Sequence, residues 1–254
     1  MLTNLIRPGD RDQCDFTCFE RLYLGGSAVP RDLIDEMKLI SPDTAYRVVY
    51  GLTEVCGYAF FSEHPEPGSC GQPLGCFQYR LVNIETQEDI REPNMSGELW
   101  LKGPTVFKDY YKNPDITADS FDEDRWFKTG DIFYRDANWN FFFVERIKLL
   151  LKYKSHQISP VEVEGVIRQH PGVLDAAVAG IPDPECGDLV VACVVRRQGS
   201  HVTAQEIKDL VKESLSDSKQ LRGGVIFMDT LPMTASTKVH RRNLKEMVLV
   251  MDRE

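Results

Sequence analysis

Thr53-Glu54 places a hydroxyl and a carboxylate side by side in the turn that follows Val48-Val49-Tyr50-Gly51-Leu52. Hard cations such as magnesium prefer carboxylate oxygen, and a turn hydroxyl can reach a phosphate, so the pair suits a phosphate with its ion. The plainer reading is a strand end with a solvated glutamate. Thr129-Gly130-Asp131 holds one carboxylate between Trp126-Phe127 and the strand-like Ile132-Phe133-Tyr134. A rigid carboxylate at a sheet edge matches the two cis hydroxyls of a ribose; a turn aspartate bonded to its own backbone is the alternative. Lys238 follows the small-residue polar loop Pro232-Met233-Thr234-Ala235-Ser236-Thr237 and precedes His240-Arg241-Arg242. A compact ammonium on a flexible stem suits delivery of charge to a phosphate; otherwise it is a basic first turn of a solvated helix. Arg146 and Lys148 read by themselves as exposed charges flanking buried strands. His240, between basic neighbours, has no evident partner. The seven cysteines, at 14, 18, 56, 70, 76, 186 and 193, form no C-x-x-C pair and have no neighbouring histidine at metal-ligand spacing. They read as small core residues, reduced in an intracellular compartment.

Elements must position these groups. Leu22-Tyr23-Leu24, Gly25-Gly26-Ser27-Ala28-Val29-Pro30 and the amphipathic face of Leu33, Met37 and Ile40 predict strand, glycine turn and helix. Val48-Val49-Tyr50 predicts another strand. Residues 68–111 carry Gly and Pro at short intervals with alternating runs such as Tyr79-Arg80-Leu81-Val82 and Gly97-Glu98-Leu99-Trp100-Leu101, which predicts a small barrel or meander. Beyond 146 the pattern becomes α+β. Ser159-Pro160-Val161-Glu162 is a capping box opening a helix that ends near His170-Pro171-Gly172. Strands follow at Val173–Ala179 and Leu189–Val195, then a second capping box at Thr203-Ala204-Gln205-Glu206, a helix Ile207–Leu215, a strand Val225–Met228 and a basic last helix. Glu145-Arg146-Ile147-Lys148 is the candidate boundary, as a hairpin or a hinge, giving domains 1–145 and 146–254.

With 254 residues, 42% hydrophobic and 27% charged, the composition is that of a folded protein of one large or two smaller domains. Thirty Lys and Arg against 39 Asp and Glu leave a formal charge of −9, which argues against a general nucleic-acid or anionic-membrane binder. No apolar run approaches the roughly 18–20 residues of a membrane span, and no signal-peptide pattern opens the chain.

Taken together in order and spacing, these segments resemble the adenylate-forming (AMP-binding) superfamily of acyl- and aryl-CoA ligases and beetle luciferases. The resemblance runs from Leu24 to about Met247 through Gly25-Gly26-Ser27, Tyr50-Gly51-Leu52-Thr53-Glu54, Gly97-Glu98-Leu99, Lys102-Gly103-Pro104, Tyr110-Tyr111-Lys112-Asn113-Pro114, Thr129-Gly130-Asp131, Arg146-Ile147-Lys148, Lys152-Tyr153-Lys154 and Lys238. The run Lys152–Glu164 is most similar to the 4-coumarate-CoA ligase and luciferase branch. The resemblance implies α/β plus α+β architecture: the end of a large N-terminal domain with a small β-barrel-like part, then a complete α+β lid domain. It implies ATP, magnesium and CoA as reactants with a small carboxylic acid, fatty or aryl. Gly25, Gly26 and Ser27 would line the adenine and acyl pocket, Tyr50 would pack on the adenine, and Gly51 would belong to the nucleotide-binding set. Thr53 would contact the α-phosphate, Glu54 would hold magnesium, and Asp131 and Arg146 would bind the ribose. Lys238 would reach the carboxylate and α-phosphate during adenylation, Lys148 would be the hinge of the lid, and the loop Lys152–His156, with Lys152 and Ser155, would face the pantetheine channel in the CoA step.

Two residues depart from the family pattern, which has glycine where this chain has Ser155 and Thr237. A left-handed conformation at either would cost about 1 kcal/mol or more. The family's phosphate loop, of the type S-G-T-T-G-x-P-K, occurs nowhere in the 254 residues. The expectation is therefore the C-terminal portion of an acyl-CoA synthetase, inactive alone; the rival is a non-catalytic nucleotide- or partner-binding remnant, and a luciferase-type oxygenase is a third reading. Met251-Asp252-Arg253-Glu254 is not an S-K-L-type address, so the expected compartment is intracellular, peroxisomal or cytoplasmic.

Overall fold

The computed structural model describes residues 14–26, 29, 31–64, 66–235 and 238–254. They fall into two units, one ending at Ile147 and the other Lys148–Glu254. In the first, β1 (Arg21–Leu24) and β2 (Ala45–Val48) pair in parallel, Leu24 opposite Val48. Parallel neighbours need a crossover, which helix α1 (Arg31–Ile40) supplies. Its face packs Met37, fully buried, with Ile34 and Ile40 against Leu24 and Tyr46. The Leu33 side chain and Ser27 lie outside the described residues.

Val49 donates its N–H to Leu24 O (2.8 Å), and the chain passes directly into β3 (Tyr50–Leu52), β4 (Gly57–Phe61) and β5 (Gln72–Pro73), an antiparallel sheet. The strand expected at Val48–Tyr50 is thus divided between two sheets. The other four strands of this unit, β6 (Gln78–Val82), β7 (Gly97–Lys102), β8 (Phe127–Arg135) and β9 (Phe141–Arg146), pair antiparallel in chain order. Among the described residues β6 and β9 do not pair with one another, and Phe141 of β9 instead exchanges main-chain bonds with Cys70 (2.8 Å) and Gly71 (2.9 Å), so of the expected barrel or meander it is the meander that forms. Its apolar face is covered by packing on the β3–β5 sheet instead of by closure: Phe60 of β4 meets Phe133 of β8 at 5.6 Å and Phe141 of β9 at 4.6 Å between ring centres. A short helix α2 (Pro114–Asp119) lies in the connection between β7 and β8.

After β9 the chain makes a 3-10 turn at Ile147–Leu149 and enters another sheet, so the hairpin alternative at residues 145–148 is not formed. In the second unit β10 (Leu151–Tyr153), β11 (His156–Ile158), β12 (Val173–Asp183), β13 (Gly187–Arg196) and β14 (Gly224–Met228) form one sheet in the order β11-β10-β13-β12, with β14 parallel to β13. Period-two alternation sorts its two faces. Val190, Ala192 and Val194 join the cluster of α3 (Pro160–Arg168) and α4 (Ala204–Ser214), while Val191, Cys193 and Val195 join that of α5 (Arg241–Val248). Both expected N-caps form: Ser159 accepts from Glu162 N, and Thr203 with Glu206 makes the complete capping box. No helix of the described residues is long and apolar enough to cross a membrane.

Candidate functional site

Parallel β1 and β2 end side by side, and the candidate residues gather where they end. A Cβ on Gly25 would stand 2.8 Å from Val49 O, and Gly26 has φ +84°, so neither place suits another residue. At Gly51 a Cβ would be 2.0 Å from Gly57 O; the missing side chain lets β4 close on β3. Thr53-Glu54-Val55 then makes one 3-10 turn in which Val55 is buried, Thr53 is exposed and Glu54 is half-buried. Glu54 is held at both ends by a later loop: its O accepts from Phe107 N (2.8 Å), and its Oε1 from the Tyr110 hydroxyl (2.8 Å). Burial, followed by that carboxylate, pushes the Tyr110 phenol up to about 12, so it stays a donor at neutral pH.

Asp131 is the buried centre of the cluster, with 1% of its surface exposed. Tyr50 donates to its Oδ2 (2.7 Å) and Arg146 Nε to its Oδ1 (2.8 Å). Arg146 stands directly opposite Asp131 in the β8–β9 register. Burial raises the Asp131 carboxyl, while Arg146 first and then the Tyr50 hydroxyl oppose the rise. The Tyr50 phenol is pushed well above its usual value, by burial and then by Asp131. Its ring packs edge-on against Phe133 at 4.7 Å. Arg146, read from its own sequence position as a solvated charge, is therefore a partner of a buried carboxylate.

Residues that sequence reasoning did not single out support both carboxylates. Glu98, only 9% exposed, accepts from Gly130 N (3.0 Å) and Trp100 Nε1 (2.8 Å). It fixes the turn in which Gly130 takes φ +69° and Asp131 is aimed inward. Thr129 adds a bond from its hydroxyl to Leu99 O (2.7 Å) and accepts from Asp131 N (3.1 Å). Glu98 and Tyr110 stand within Gly97-Glu98-Leu99 and Tyr110–Pro114, so the signal was there, but the partners are 32 and 56 residues distant.

The remaining candidates belong to the second unit. Lys148 is exposed at the 3-10 turn. Lys152 lies in β10, its N–H bonded to Asp188 Oδ2 (3.0 Å). Tyr153 pairs with His156, which leaves Lys154 and Ser155 as a two-residue turn with φ +44° and +68°. Both are left-handed, as a type I′ turn requires, and the departure at Ser155 falls on such a position. Thr237 lies outside the described residues. Lys238 is exposed in the connection from β14 to α5, not in the helix; its N–H donates to Thr234 Oγ1 (3.1 Å) and its O accepts from Thr234 N (2.7 Å). His240 has the partner that its neighbours in sequence did not suggest, since Nδ1 caps α5 by accepting from Asn243 N (3.1 Å). The helix is tied deeper by Arg241, whose guanidinium bonds both oxygens of Glu164, a carboxylate 4% exposed on α3. The expectation of core cysteines holds for Cys70 and Cys193, whose thiols burial raises to about 11 and about 12. Cys14, Cys18, Cys56 and Cys76 are exposed and Cys186 is half-buried, because they occupy turns and loops.

The family described as AMP-binding enzyme matches residues 1–111, and the AMP-binding enzyme C-terminal domain matches residues 162–238. A luciferin 4-monooxygenase from Nipponoluciola cruciata is 39% identical over 201 residues, covering 78% of this chain and 36% of that protein. The 4-coumarate–CoA ligase-like 9 protein of Arabidopsis thaliana is 32% identical over 253 residues, 98% of this chain and 45% of that protein. The chain thus spans less than half the length of these relatives. Among solved structures, the anthranilate CoA ligase AuaEII in complex with anthranoyl-AMP superposes with a TM-score of 0.86 at 25% identity, covering 97% of this chain and 48% of that one. ATP-bound MatB from Rhodopseudomonas palustris gives 0.81 at 28% identity, covering 89% of this chain and 44% of that one.

Proposed function

The chain belongs to the adenylate-forming, AMP-binding superfamily and matches the C-terminal region of its members, and from that premise we propose that it supplies the ribose end and the lid of an acid-thiol ligase. The reaction is carboxylate plus ATP giving acyl-adenylate and pyrophosphate, then CoA giving the thioester and AMP. The observation that carries this reading is the buried Asp131 of β8 set between the Arg146 guanidinium of β9 and the hydroxyl of Tyr50, which follows the end of the parallel β1–β2 pair: a fixed carboxylate of the kind that takes the two hydroxyls of a ribose.

Each Asp131 oxygen keeps a second lone pair, so a ribose diol can bind once the Arg146 side chain, 60% exposed, moves aside. Thr53 reaches the α-phosphate, and Gly25, Gly26 and Gly51 let main chain approach the nucleotide; Ser27, outside the described residues, is assigned to the same pocket by sequence. Glu54 is a hard anionic donor of the kind magnesium prefers, and such an ion takes water and substrate phosphates as most of its ligands. When bound, the ion neutralises charge on the phosphates during displacement. Lys238 stabilises charge on the carboxylate and α-phosphate in adenylation, Lys148 is the hinge, and the Lys152–Ser155 turn serves the CoA step. MatB is described as binding ATP and AuaEII as an anthranilate CoA ligase, which supports a nucleotide and a carboxylic acid as ligands here.

The 254 residues contain no phosphate loop, so the reading assigns the β- and γ-phosphate contacts to sequence beyond them. Acid-dependent exchange of radiolabelled pyrophosphate into ATP tests this. Exchange is expected when the chain is joined to a large-domain segment bearing such a loop, and none from the 254 residues alone. No exchange in the joined protein with any fatty or aryl acid, while it still binds AMP, favours a nucleotide-binding remnant.

A further inference from the structure

We infer that Tyr110 is a positioning residue for Glu54, which holds one carboxylate oxygen so that the other is presented to a divalent cation. The inference rests on Glu54 being the cation ligand, as proposed above.

The loop after β7 grips Glu54 twice, through Phe107 N to the main-chain oxygen and through the Tyr110 hydroxyl to Oε1, both at 2.8 Å. This grip is itself anchored. The Phe107 ring packs edge-on against Tyr110 at 4.7 Å, stacks on Phe121 at 5.4 Å and meets Phe127 of β8 at 5.3 Å. The Tyr110 N–H donates to Thr117 Oγ1 (2.9 Å), whose hydroxyl donates to Asn113 O (2.8 Å) at the start of α2. A phenol on a fixed backbone has only two torsions to settle, whereas a glutamate on a surface turn has three and loses that freedom when it binds an ion. Tyr50 does the same for Asp131. Ligating carboxylates are commonly oriented by such an outer hydrogen bond, and its loss typically weakens metal affinity by about 10- to 100-fold.

The test is a titration of the 15N-labelled chain with Mn2+ in the presence of AMP, whose phosphate supplies the ion's other ligands, following paramagnetic broadening of the Glu54, Val55 and Phe107 amides. Tyr110→Phe keeps the ring and removes only the hydroxyl, and it is expected to raise the Mn2+ concentration for half-broadening about 10-fold. Glu54→Gln should abolish localised broadening. If broadening persists in Glu54→Gln, or is absent from the unaltered chain, Glu54 is not the ligand and the premise fails. If it is lost in Glu54→Gln but the midpoint is unchanged in Tyr110→Phe, only the positioning role is overturned. Should Tyr110→Phe lose amide dispersion, Thr117→Val, which leaves the phenol in place but removes the hydroxyl that accepts from Tyr110 N and donates to Asn113 O, makes the same comparison, and an unchanged midpoint there also overturns the role.

Discussion

Asp131 and Arg146 face one another across the β8–β9 pair, with the guanidinium Nε 2.8 Å from the carboxylate Oδ1. The pair is lopsided: the Asp131 side chain is 2% exposed and that of Arg146 60%. The aspartate carries the desolvation, and the arginine neutralises it from a position where solvent screens the attraction. Such a pair stabilises modestly but leaves a costly buried charge if its outer member is removed.

Replacing Arg146 by Met is therefore expected to destabilise the first unit by about 1 kcal/mol at neutral pH, a figure reduced for the exposure of the guanidinium. Arg146→Lys restores charge without the planar donor and should recover part of the loss. Urea unfolding of the two variants checks both. An Arg146→Met chain as stable as the unaltered one would mean that Tyr50 alone satisfies Asp131.

The pH dependence follows from the direction of the Asp131 shift. Its carboxyl is raised in the fold above the usual 3.8, so the folded state holds the proton more tightly than the unfolded chain does. The stabilisation this gives is fully present below about pH 4 and is lost as pH rises through the raised value. Compared with Asp131→Asn, which does not titrate, the unaltered chain should lose stability as pH rises from about 4 through the raised value. Thermal unfolding of the pair across that range measures it, and a difference independent of pH would remove the shift.

Local chemistry made much of this legible in the sequence. Ser159 and Thr203 announce their helices because a cap is settled within three residues, and the alternation of Val190–Val195 announces a sheet covered on both faces. Pairings at long range were not legible. Nothing near Arg146 says that strand register will bring it to Asp131, and nothing near Arg241 points to Glu164, 77 residues earlier. Whether these strands form a barrel or a meander was left open for the same reason: alternation gives each strand two faces but does not say whether the apolar one is covered by closure or by Phe60 of another sheet.

The turn at Ser155 predicts a stabilising substitution. A left-handed φ of +68° costs a serine about 1–2 kcal/mol, and glycine removes this while adding about 0.5–1 kcal/mol of unfolded-state entropy. Ser155→Gly should raise stability by about 0.5 kcal/mol, and β-branched Ser155→Val should lower it by about 1 kcal/mol or more. Melting temperatures of both variants test the turn geometry.

Residues 148–254 contain both clusters that sandwich their sheet, one under α3 and α4 and one under α5. This segment is expected to fold alone with a single cooperative transition and dispersed amide resonances. Limited proteolysis of the whole chain should cut near Arg146–Lys148 or at the Lys154-Ser155 turn and leave the C-terminal piece resistant. Degradation of that piece at the rate of the rest would contradict the boundary.

The proposed lid makes its sharpest prediction for Lys238, tested in the chain joined to a segment with a phosphate loop. Lys238 is exposed, and its main chain closes a turn with Thr234 through two hydrogen bonds that do not involve its ammonium. Lys238→Ala should therefore leave the fold intact and act through the lost charge alone. If that charge meets the α-phosphate only during adenylation, adenylate formation should fall by roughly 10²–10³, the scale for losing one such stabilising donor. Thioester formation from supplied acyl-adenylate should change little. Ser155→Gly lies on the turn assigned to the CoA step, so it should leave adenylation unaltered and leave that step unchanged or faster. Equal losses in both half-reactions of Lys238→Ala, with melting unchanged, would show that the lysine does not act in one orientation of the lid alone.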